Sequence, residues 1–212
     1  ILQPQAPTSQ AGSPAWKTML EEAGAHSAWV EMAALWPGMD ASEVARACGG
    51  EIVEGLVCLR LRGNWAFVEE INLPVILRLS RPADAHVLLA GMNSGNLVLR
   101  HGGQDWRVPR SRIDRRWRGD LLVAWPDPGV ALKRGDSGAL VERMKYLATQ
   151  SQPEPWTGAV NATYDEPFRD WVMAFQRRHG LNEDGVIGPA TRLFLRAPHD
   201  NAPILLTDQN GA

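Results

Sequence analysis

The chain has 212 residues, 22 basic and 24 acidic side chains, and a hydrophobic content of 44%. This length favours two small domains, and this hydrophobic content can fill their cores. A formal charge of -2 gives no broad cationic field, which argues against a nucleic-acid partner. No apolar run reaches the roughly 18 residues that a membrane-spanning helix requires.

The first part of the chain predicts a leader followed by helices. Residues 1–14, rich in Gln, Pro, Ser and Ala, are typical of a flexible leader. Helices are predicted at residues 16–23, 27–36 and 42–48. We expect Asp40 or Ser42 to cap the third helix and Gly49 to end it.

From Leu56 onward the pattern changes from helical to extended. Strands are predicted at residues 56–61, 74–79, 86–90, 96–100, 104–108 and 121–125, with a helix at 64–71. Residues 93–96 read NSGN, a strong signal for a tight turn between two of these strands. Because helices come first and strands follow, residues 15–126 are predicted to form an α+β domain with a small antiparallel sheet.

The densest basic group is the segment 110–116, which reads RSRIDRR. We interpret it as a solvated turn in which Asp114 interrupts the arginines. The alternative is a local contact with nucleic acid, which the overall charge does not favour.

The two cysteines, Cys48 and Cys58, can form a disulfide, half of a metal site, or one reactive thiol beside a bystander. The metal interpretation lacks partners, because no His stands near either cysteine and no Cys-x-x-Cys pair is present. The sequence therefore predicts no metal and no cofactor. A disulfide would stabilise the fold by about 3 kcal/mol in the chain-entropy model and would indicate an oxidising compartment.

Residues 126–129 read PDPG and are predicted to be a linker, because neither a strand nor a helix continues through them. Residues 130–197 after it are predicted to form a three-helix domain. An apolar stripe at 140–148 marks the first helix, with Asp136 or Ser137 as its cap. A loose stretch at 151–163 precedes the second helix at 168–175. Gly188 and Pro189 open the third helix, and residues 198–212 are left as a C-terminal tail.

Three blocks of the second part carry a resemblance. Residues 132–141 read LKRGDSGALV, residues 175–181 read FQRRHGL, and residues 184–191 read DGVIGPAT. In this order they resemble the peptidoglycan-binding domain family. That family repeats its Asp-Gly block between its first two helices, whereas the stretch 151–163 stands there in this chain. Half of the expected pseudo-symmetry is therefore predicted to be missing.

The last block has a physical rationale of its own. Gly185 and Gly188 permit a tight turn with exposed backbone amides, and the Asp184 carboxylate can accept hydrogen bonds that hold this turn. The hydroxyl of Thr191, three residues after Gly188, can reach the start of the helix. Arg134 and Gln176 are candidates for touching a polar glycan or its acidic stem peptide. The predicted peptidoglycan-binding set is Arg134, Asp136, Gln176, Asp184, Gly185, Gly188 and Thr191.

The first domain resembles the papain-like peptidases that trim double-glycine leaders. The similar segments are 33–36 (AALW), 73–77 (LPVIL), 86–91 (HVLLAG) and 117–122 (WRGDLL). Such enzymes need a Cys nucleophile, a His base and an acid or amide that orients the imidazole. His86 matches the His, but the helix start 24–29 has no cysteine and His101 stands near the place of the acid. We therefore predict a peptidase-like domain with no catalytic residues.

A degenerate peptidase-like domain joined to a wall-binding domain resembles the periplasmic region of the general secretion pathway protein A family. This resemblance implies a periplasmic region of an inner-membrane protein, with its membrane helix and an ATPase domain upstream of Ile1. It also implies peptidoglycan and a protein of the same pathway as partners, homo-oligomers on the wall, and help in assembling the type II secretion secretin. The alternative is a cysteine hydrolase of cell wall or leader peptides that uses Cys48 and His86, with Ser27 and His86 as a rival pair.

Overall fold

The computed structural model describes residues 15–80, 84–93, 95–195 and 203–205. The predicted leader at 1–14 lies outside the described residues, as does most of the predicted tail. The described residues up to 126, together with 203–205, form one compact unit, and residues 127–195 form a second. No helix in these ranges is both long and apolar enough to cross a membrane.

The first unit begins with three helices, α1 (Ala15–Glu22), α2 (Ala25–Ala33) and α3 (Ala41–Cys48). Two short helices lie among the strands, α4 (Trp65–Ile71) and α5 (Arg110–Asp114). α3 begins after Asp40 because this carboxylate accepts hydrogen bonds from the N–H groups of Ser42 and Glu43. α5 replaces the predicted solvated turn, since Ile113 in its last turn is buried.

The six strands are β1 (Leu56–Arg62), β2 (Val75–Leu79), β3 (His86–Met92), β4 (Asn96–His101), β5 (Gln104–Pro109) and β6 (Trp117–Pro126). Their order in the sheet is β1-β6-β2-β3-β4-β5, and every pairing is antiparallel. The strands β2, β3 and most of β6 are made of buried Val, Ile, Leu and Ala and therefore lie inside the sheet. The predicted fold class, helices followed by an antiparallel sheet and then a helical module, is confirmed.

β6 begins four residues earlier than predicted. Its first part reads WRGD, in which Arg118, Gly119 and Asp120 interrupt the apolar pattern of the strand. Gly119 is required there, because its φ is +93° and a Cβ atom would lie 2.6 Å from the carbonyl oxygen of Gly63. The close approach of the two backbones continues the pairing of β1 with β6, and Gly63 N–H donates to Gly119 O at 3.0 Å.

Cys48 and Cys58 form a disulfide, which confirms the first interpretation of the pair. Cys48 ends α3 and Cys58 lies on β1, with 5.0 Å between their Cα atoms. The bond therefore ties a helix to an edge strand that pairs only with β6 in the described sheet.

The second unit contains α6 (Ala139–Thr149), α7 (Glu166–Arg178) and α8 (Pro189–Leu195). Apolar side chains from all three helices and from the loops form its core, among them Leu132, Val141, Met144, Leu147, Tyr164, Phe168, Val172, Phe175, Ile187 and Leu195. The predicted cap of α6 is wrong. Its N-cap is Gly138 at φ +128°, with no side-chain cap, because Asp136 Oδ2 instead accepts from Lys133 N–H at 2.8 Å.

The segment 126–129 is not a free linker. Pro126 is the last residue of β6, and the side chain of Asp127 is buried in the second unit, where it binds Arg192. Of the predicted tail, residues 203–205 belong to the first unit without forming a helix or strand, and Leu205 is buried.

Candidate functional site

Three loops of the second unit lie side by side, and each leads directly into a helix. We name them the opening loop (132–138), the middle loop (161–165) and the final loop (184–188), which precede α6, α7 and α8. The opening loop pairs with both others, through bridges Leu132↔Ile187 and Ser137↔Thr163. The positive ends of the helix dipoles lie at these loops, and at α7 the carboxylates of Asp165 and Glu166 already face that end.

Gln176 holds the final loop from beneath. It lies on α7 with 1% of its surface exposed, and its Oε1 accepts from Gly185 N–H at 2.9 Å. Its Nε2 lies 2.9 Å from Asp184 Oδ1, 3.0 Å from Val186 O and 3.1 Å from Thr191 Oγ1. A single buried amide therefore satisfies backbone and side-chain groups across the whole loop.

Asp184 shapes the surface side of the same loop. Its Oδ1 accepts from Val186 N–H at 2.8 Å, and its Oδ2 accepts from Asn182 Nδ2 at 3.1 Å. Burial works to raise the pKa of Asp184, but the hydrogen bonds from Val186, Gln176 and Asn182 outweigh it and hold the pKa below its ordinary value. The carboxylate is thus ionised and already engaged within the loop.

Lys145 holds the middle loop in the corresponding way. This lysine of α6 is fully buried, and its Nζ donates to Asn161 Oδ1 and to Asp165 Oδ2, each at 3.0 Å. Asn161 Oδ1 also accepts from Thr163 N–H at 3.1 Å, which is the bond that Asp184 makes with Val186. Two hydrogen bonds of the final loop therefore have counterparts in the middle loop, although the Asp-Gly block itself does not stand there.

The Lys145 ammonium is further stabilised by aromatic rings. Its Nζ lies 5.6 Å from the ring centroid of Trp156 and 5.3 Å from that of Phe168. Burial works to raise the pKa of Asp165, and the hydrogen bonds from Lys145 and from Phe168 N–H lower it below the ordinary value. The buried cation therefore has a charged partner and two ring faces.

Two further contacts join the loops. The hydroxyl of Tyr164, in the middle loop, donates to Gly185 O in the final loop at 2.8 Å, and burial raises the pKa of this tyrosine. Arg192 of α8 donates to Ile187 O at 2.9 Å, and its Nε and Nη2 bind the two carboxylate oxygens of Asp127 at 2.8 and 2.6 Å. The loops are thus fixed by buried polar groups rather than by apolar packing alone.

Gly185 has a conformational requirement that the middle loop does not share. Its φ is +66°, and a Cβ atom there would lie 2.8 Å from Arg169 Cγ. The corresponding Ala162 has no positive φ. The final loop therefore needs glycine at this position, whereas the middle loop accepts a side chain.

Arg134 is the exposed cation of the opening loop, with 64% of its side chain accessible. It binds Glu166 at the start of α7, which also binds Arg169 at 2.9 Å. The hydrogen bond from Arg134 holds the pKa of Glu166 below its ordinary value. An exposed guanidinium with one carboxylate partner can exchange that partner for an anionic ligand at low cost.

The predicted binding residues differ in burial and in the contacts they make. Gln176, Gly185 and Thr191 are buried and form part of the hydrogen-bond network of the final loop, whereas Arg134 is exposed. Asp136 is half-buried and closes a turn of the opening loop, and Asp184 and Gly188 complete the final loop. The sequence analysis missed Lys145, Tyr164, Arg192 and Asp127.

The first unit shows how its peptidase-like residues are engaged. Cys48 is in the disulfide. His86 Nδ1 lies 2.7 Å from Asp84 O, and its Nε2 accepts from Arg78 Nε at 3.1 Å. Ser27 Oγ donates to Gly24 O at 2.9 Å. Neither proposed nucleophile is therefore bonded to the imidazole.

Comparisons with known proteins bear on both units. Residues 141–195 match the sequence model of a family described as "Putative peptidoglycan binding domain", which confirms the resemblance of the C-terminal part. Over 148 residues, 66% of this chain, the sequence is 27% identical to general secretion pathway protein A of Aeromonas hydrophila. The chain spans 26% of the length of that relative.

Two solved structures are similar to different extents. A periplasmic domain of the EpsAB fusion protein of the Vibrio vulnificus type II secretion system has a TM-score of 0.62 and 23% identity, over 90% of this chain and 85% of that one. This likeness shows a shared fold. The peptidase C39-like domain of a toxin secretion ATP-binding protein from Vibrio parahaemolyticus covers 48% of this chain and 95% of that one, at 12% identity. Its TM-score of 0.39 is too low to support an argument.

Proposed function

We propose that the chain is a periplasmic region of a type II secretion protein and that its second unit binds peptidoglycan. The observation that carries this proposal is the family match over residues 141–195, which includes Gln176 and the whole final loop. The three adjoining loops supply the surface. Arg134 can bind the carboxylates of stem peptides, while loop backbone groups can bind sugar hydroxyls.

In this proposal the predicted residues have different tasks. Arg134 contacts the ligand, and Asp136 and Gly188 set the turns beside it. Gln176, Asp184, Gly185 and Thr191 hold the final loop in its bound shape, because their polar groups already bind one another. A preformed loop loses little conformational entropy when the ligand binds.

The secretion context rests on the similarity to general secretion pathway protein A and on the EpsAB fold. In the proposal the chain attaches the secretion apparatus to the wall and helps the secretin assemble, together with a protein of the same pathway. Peptidoglycan repeats the same ligand many times, so homo-oligomers would gain avidity from a weak site. The disulfide supports an oxidising compartment such as the periplasm. An inner-membrane anchor in a longer protein is part of the same proposal.

We also propose that the chain does not hydrolyse its ligand. The sulfur of Cys48 is bonded to Cys58, and Arg78 occupies the Nε2 atom of His86. A thiolate and a free base are both needed for cysteine hydrolase chemistry.

Co-sedimentation of the full chain with purified sacculi tests the proposal. We expect wild type to pellet, and Arg134→Ala to weaken retention roughly fivefold because a charged contact is removed. Arg143→Ala is the matched control, since Arg143 is an exposed arginine of α6 outside the three loops. Equal retention of both variants, or no pelleting of wild type, would contradict the assignment. Release of soluble muropeptides during incubation would show hydrolysis instead.

A further inference from the structure

A group of arginines in the first unit is not used by the proposed wall-binding function. We name Arg110, Arg112, Arg115, Arg116 and Arg118 the Arg strip. It extends from the start of α5 to the second residue of β6, with Asp114 as its one acidic residue. Arg110 N–H donates to Gly95 O at 2.9 Å, and Arg116 O accepts from Ser80 N–H at 2.7 Å. Both ends of the strip are therefore anchored to the sheet.

None of the arginines of the strip forms an ion pair with a described carboxylate, although five of them lie within nine consecutive residues. Asp114, within the strip, accepts from Trp65 Nε1 at 2.6 Å instead. By contrast, Arg100 and Arg177 each bind a carboxylate through two hydrogen bonds. The strip is thus a concentration of positive charge that the described part of the chain does not neutralise.

Two of these guanidinium groups are held in place by tryptophan rings. The guanidinium carbon of Arg110 lies 5.3 Å from the ring centroid of Trp65, and that of Arg116 lies 5.1 Å from the ring of Trp16. Stacking uses the flat face of a guanidinium and leaves its in-plane N–H groups for acceptors. Arg116 Nη1 donates one hydrogen bond to Arg112 O at 2.9 Å. The strip therefore combines positioned guanidinium groups with the exposed Arg112, Arg115 and Arg118.

The chemistry of the strip favours carboxylates. Every cation in it is an arginine, whose planar fork matches two carboxylate oxygens, whereas lysine offers only a point charge. The chain itself shows this fit between Arg100 and Asp105, with N–O distances of 2.6 and 2.9 Å.

The surroundings of the strip disfavour a lipid surface. Binding at a membrane interface requires apolar side chains that insert beside the basic ones. The apolar residues here, Ile113 and Trp117, are buried at 0% and 7% exposure. The large exposed apolar residues of the described chain stand elsewhere: Val30, Ile52, Val130, Tyr146, Val160 and Ile204.

We propose that the Arg strip is a docking site for an acidic segment of a partner protein, one that presents several Asp or Glu side chains to the guanidinium groups. The site is separate from the three loops and does not depend on peptidoglycan binding. Exposed charges of this kind raise the association rate and set partner choice, and their effect falls as salt rises.

Fluorescence anisotropy with a labelled decaglutamate peptide and the full chain tests the proposal. We expect saturable binding that weakens as salt is raised. Arg112→Glu with Arg115→Glu should weaken it at least tenfold. Arg46→Glu with Arg143→Glu is the matched control, because it makes the same change of charge at exposed sites outside the strip, and it should lose less than twofold. An equal loss in both double variants, or no saturable binding, would overturn the proposal.

Two further experiments test whether bidentate guanidinium contacts matter and whether the anionic groups come from a protein or from a lipid surface. The triple variant Arg112→Lys, Arg115→Lys and Arg118→Lys preserves the charge but removes the bidentate contacts, so peptide affinity should fall several-fold. Full retention of affinity would overturn the bidentate geometry. Vesicles of equal parts phosphatidylglycerol and phosphatidylcholine should compete poorly with the peptide, and strong competition would make the strip a lipid site. Sacculus retention of the double Glu variant should equal wild type, which separates this test from that of the proposed function.

Discussion

The middle loop and the final loop of the second unit share two hydrogen bonds but are built from different amino acids. In the final loop, Gln176 reaches from α7 to Asp184, and Asp184 accepts from the N–H two residues on. In the middle loop, Lys145 reaches from α6 to Asn161, and Asn161 accepts from the N–H two residues on. Each loop then pairs with the opening loop and starts a helix.

The difference shows what such a loop requires. It requires a buried polar side chain on the preceding helix and a short Asx residue at its start, because backbone groups that leave the core must find partners. It does not require the Asp-Gly sequence that identifies the final loop in the amino-acid sequence. A charged pair, Lys145 with Asp165, replaces the neutral amide in the middle loop.

The largest effect is expected from removing the amide beneath the final loop. Gln176→Leu leaves the buried N–H of Gly185 and the hydroxyl of Thr191 without this partner, which should lower the free energy of unfolding by about 3 kcal/mol. Urea denaturation followed by circular dichroism measures it. Gln150→Leu, at an exposed position after α6, should cost less than about 0.5 kcal/mol. Similar losses in the two variants would refute the role given to Gln176.

An intermediate effect is expected beneath the middle loop. Lys145→Met should cost about 2 kcal/mol, because Asn161 and Asp165 both lose a donor while Asp165 can still be solvated. Lys145→Gln should cost about half as much, since an amide can bind Asn161 as Gln176 binds Asp184. The same denaturation assay compares the two, and a Gln variant less stable than the Met variant would break the correspondence between the loops.

A smaller and asymmetric effect is expected at the position where the loops differ in backbone. Gly185→Ala should cost about 1 kcal/mol, because alanine is strained at φ +66° and its Cβ would displace Arg169. Ala162→Gly, the reverse change in the middle loop, should cost about half of that through unfolded-state entropy alone. Thermal unfolding of both variants checks the order, and a neutral Gly185→Ala would contradict the described turn.

The smallest effect concerns acid. The pKa values of Asp184 and Asp165 are lowered in the folded chain, so both carboxylates stabilise it above their ordinary pKa of about 3.9. This stabilisation is lost as the pH falls from about 3.9 through the lowered pKa of each carboxylate in the folded chain. The free energy of unfolding, measured from pH 6 to pH 2, should therefore decline below about pH 4, and the decline should be smaller in Asp184→Asn. An unchanged profile would show that the loop carboxylate is not linked to stability.

The sequence was informative where the determinants are local. Apolar periodicity predicted α7, runs of Val, Ile and Leu predicted the inner strands, and the Asp-Gly block located the final loop. The contacts of Lys145 and Arg192 were not predictable from pattern, because their partners lie 20 and 65 residues away. In an amphipathic helix such residues look like solvent-facing charges, and only the folded chain shows them buried. The predicted strand at 121–125 began too late for a similar reason, because the glycine at 119 is explained by the carbonyl group of Gly63, which is distant in sequence.

The central claim is that peptidoglycan binds at the three loops of the second unit. Nuclear magnetic resonance titration of the ¹⁵N-labelled full chain with a purified disaccharide-tetrapeptide tests it most directly. We predict that amide shifts concentrate in the opening loop around Arg134 and in the final loop from Asp184 to Gly188, and that Arg134→Ala reduces them. Shifts confined to the first unit, or none at saturating ligand, would contradict the account.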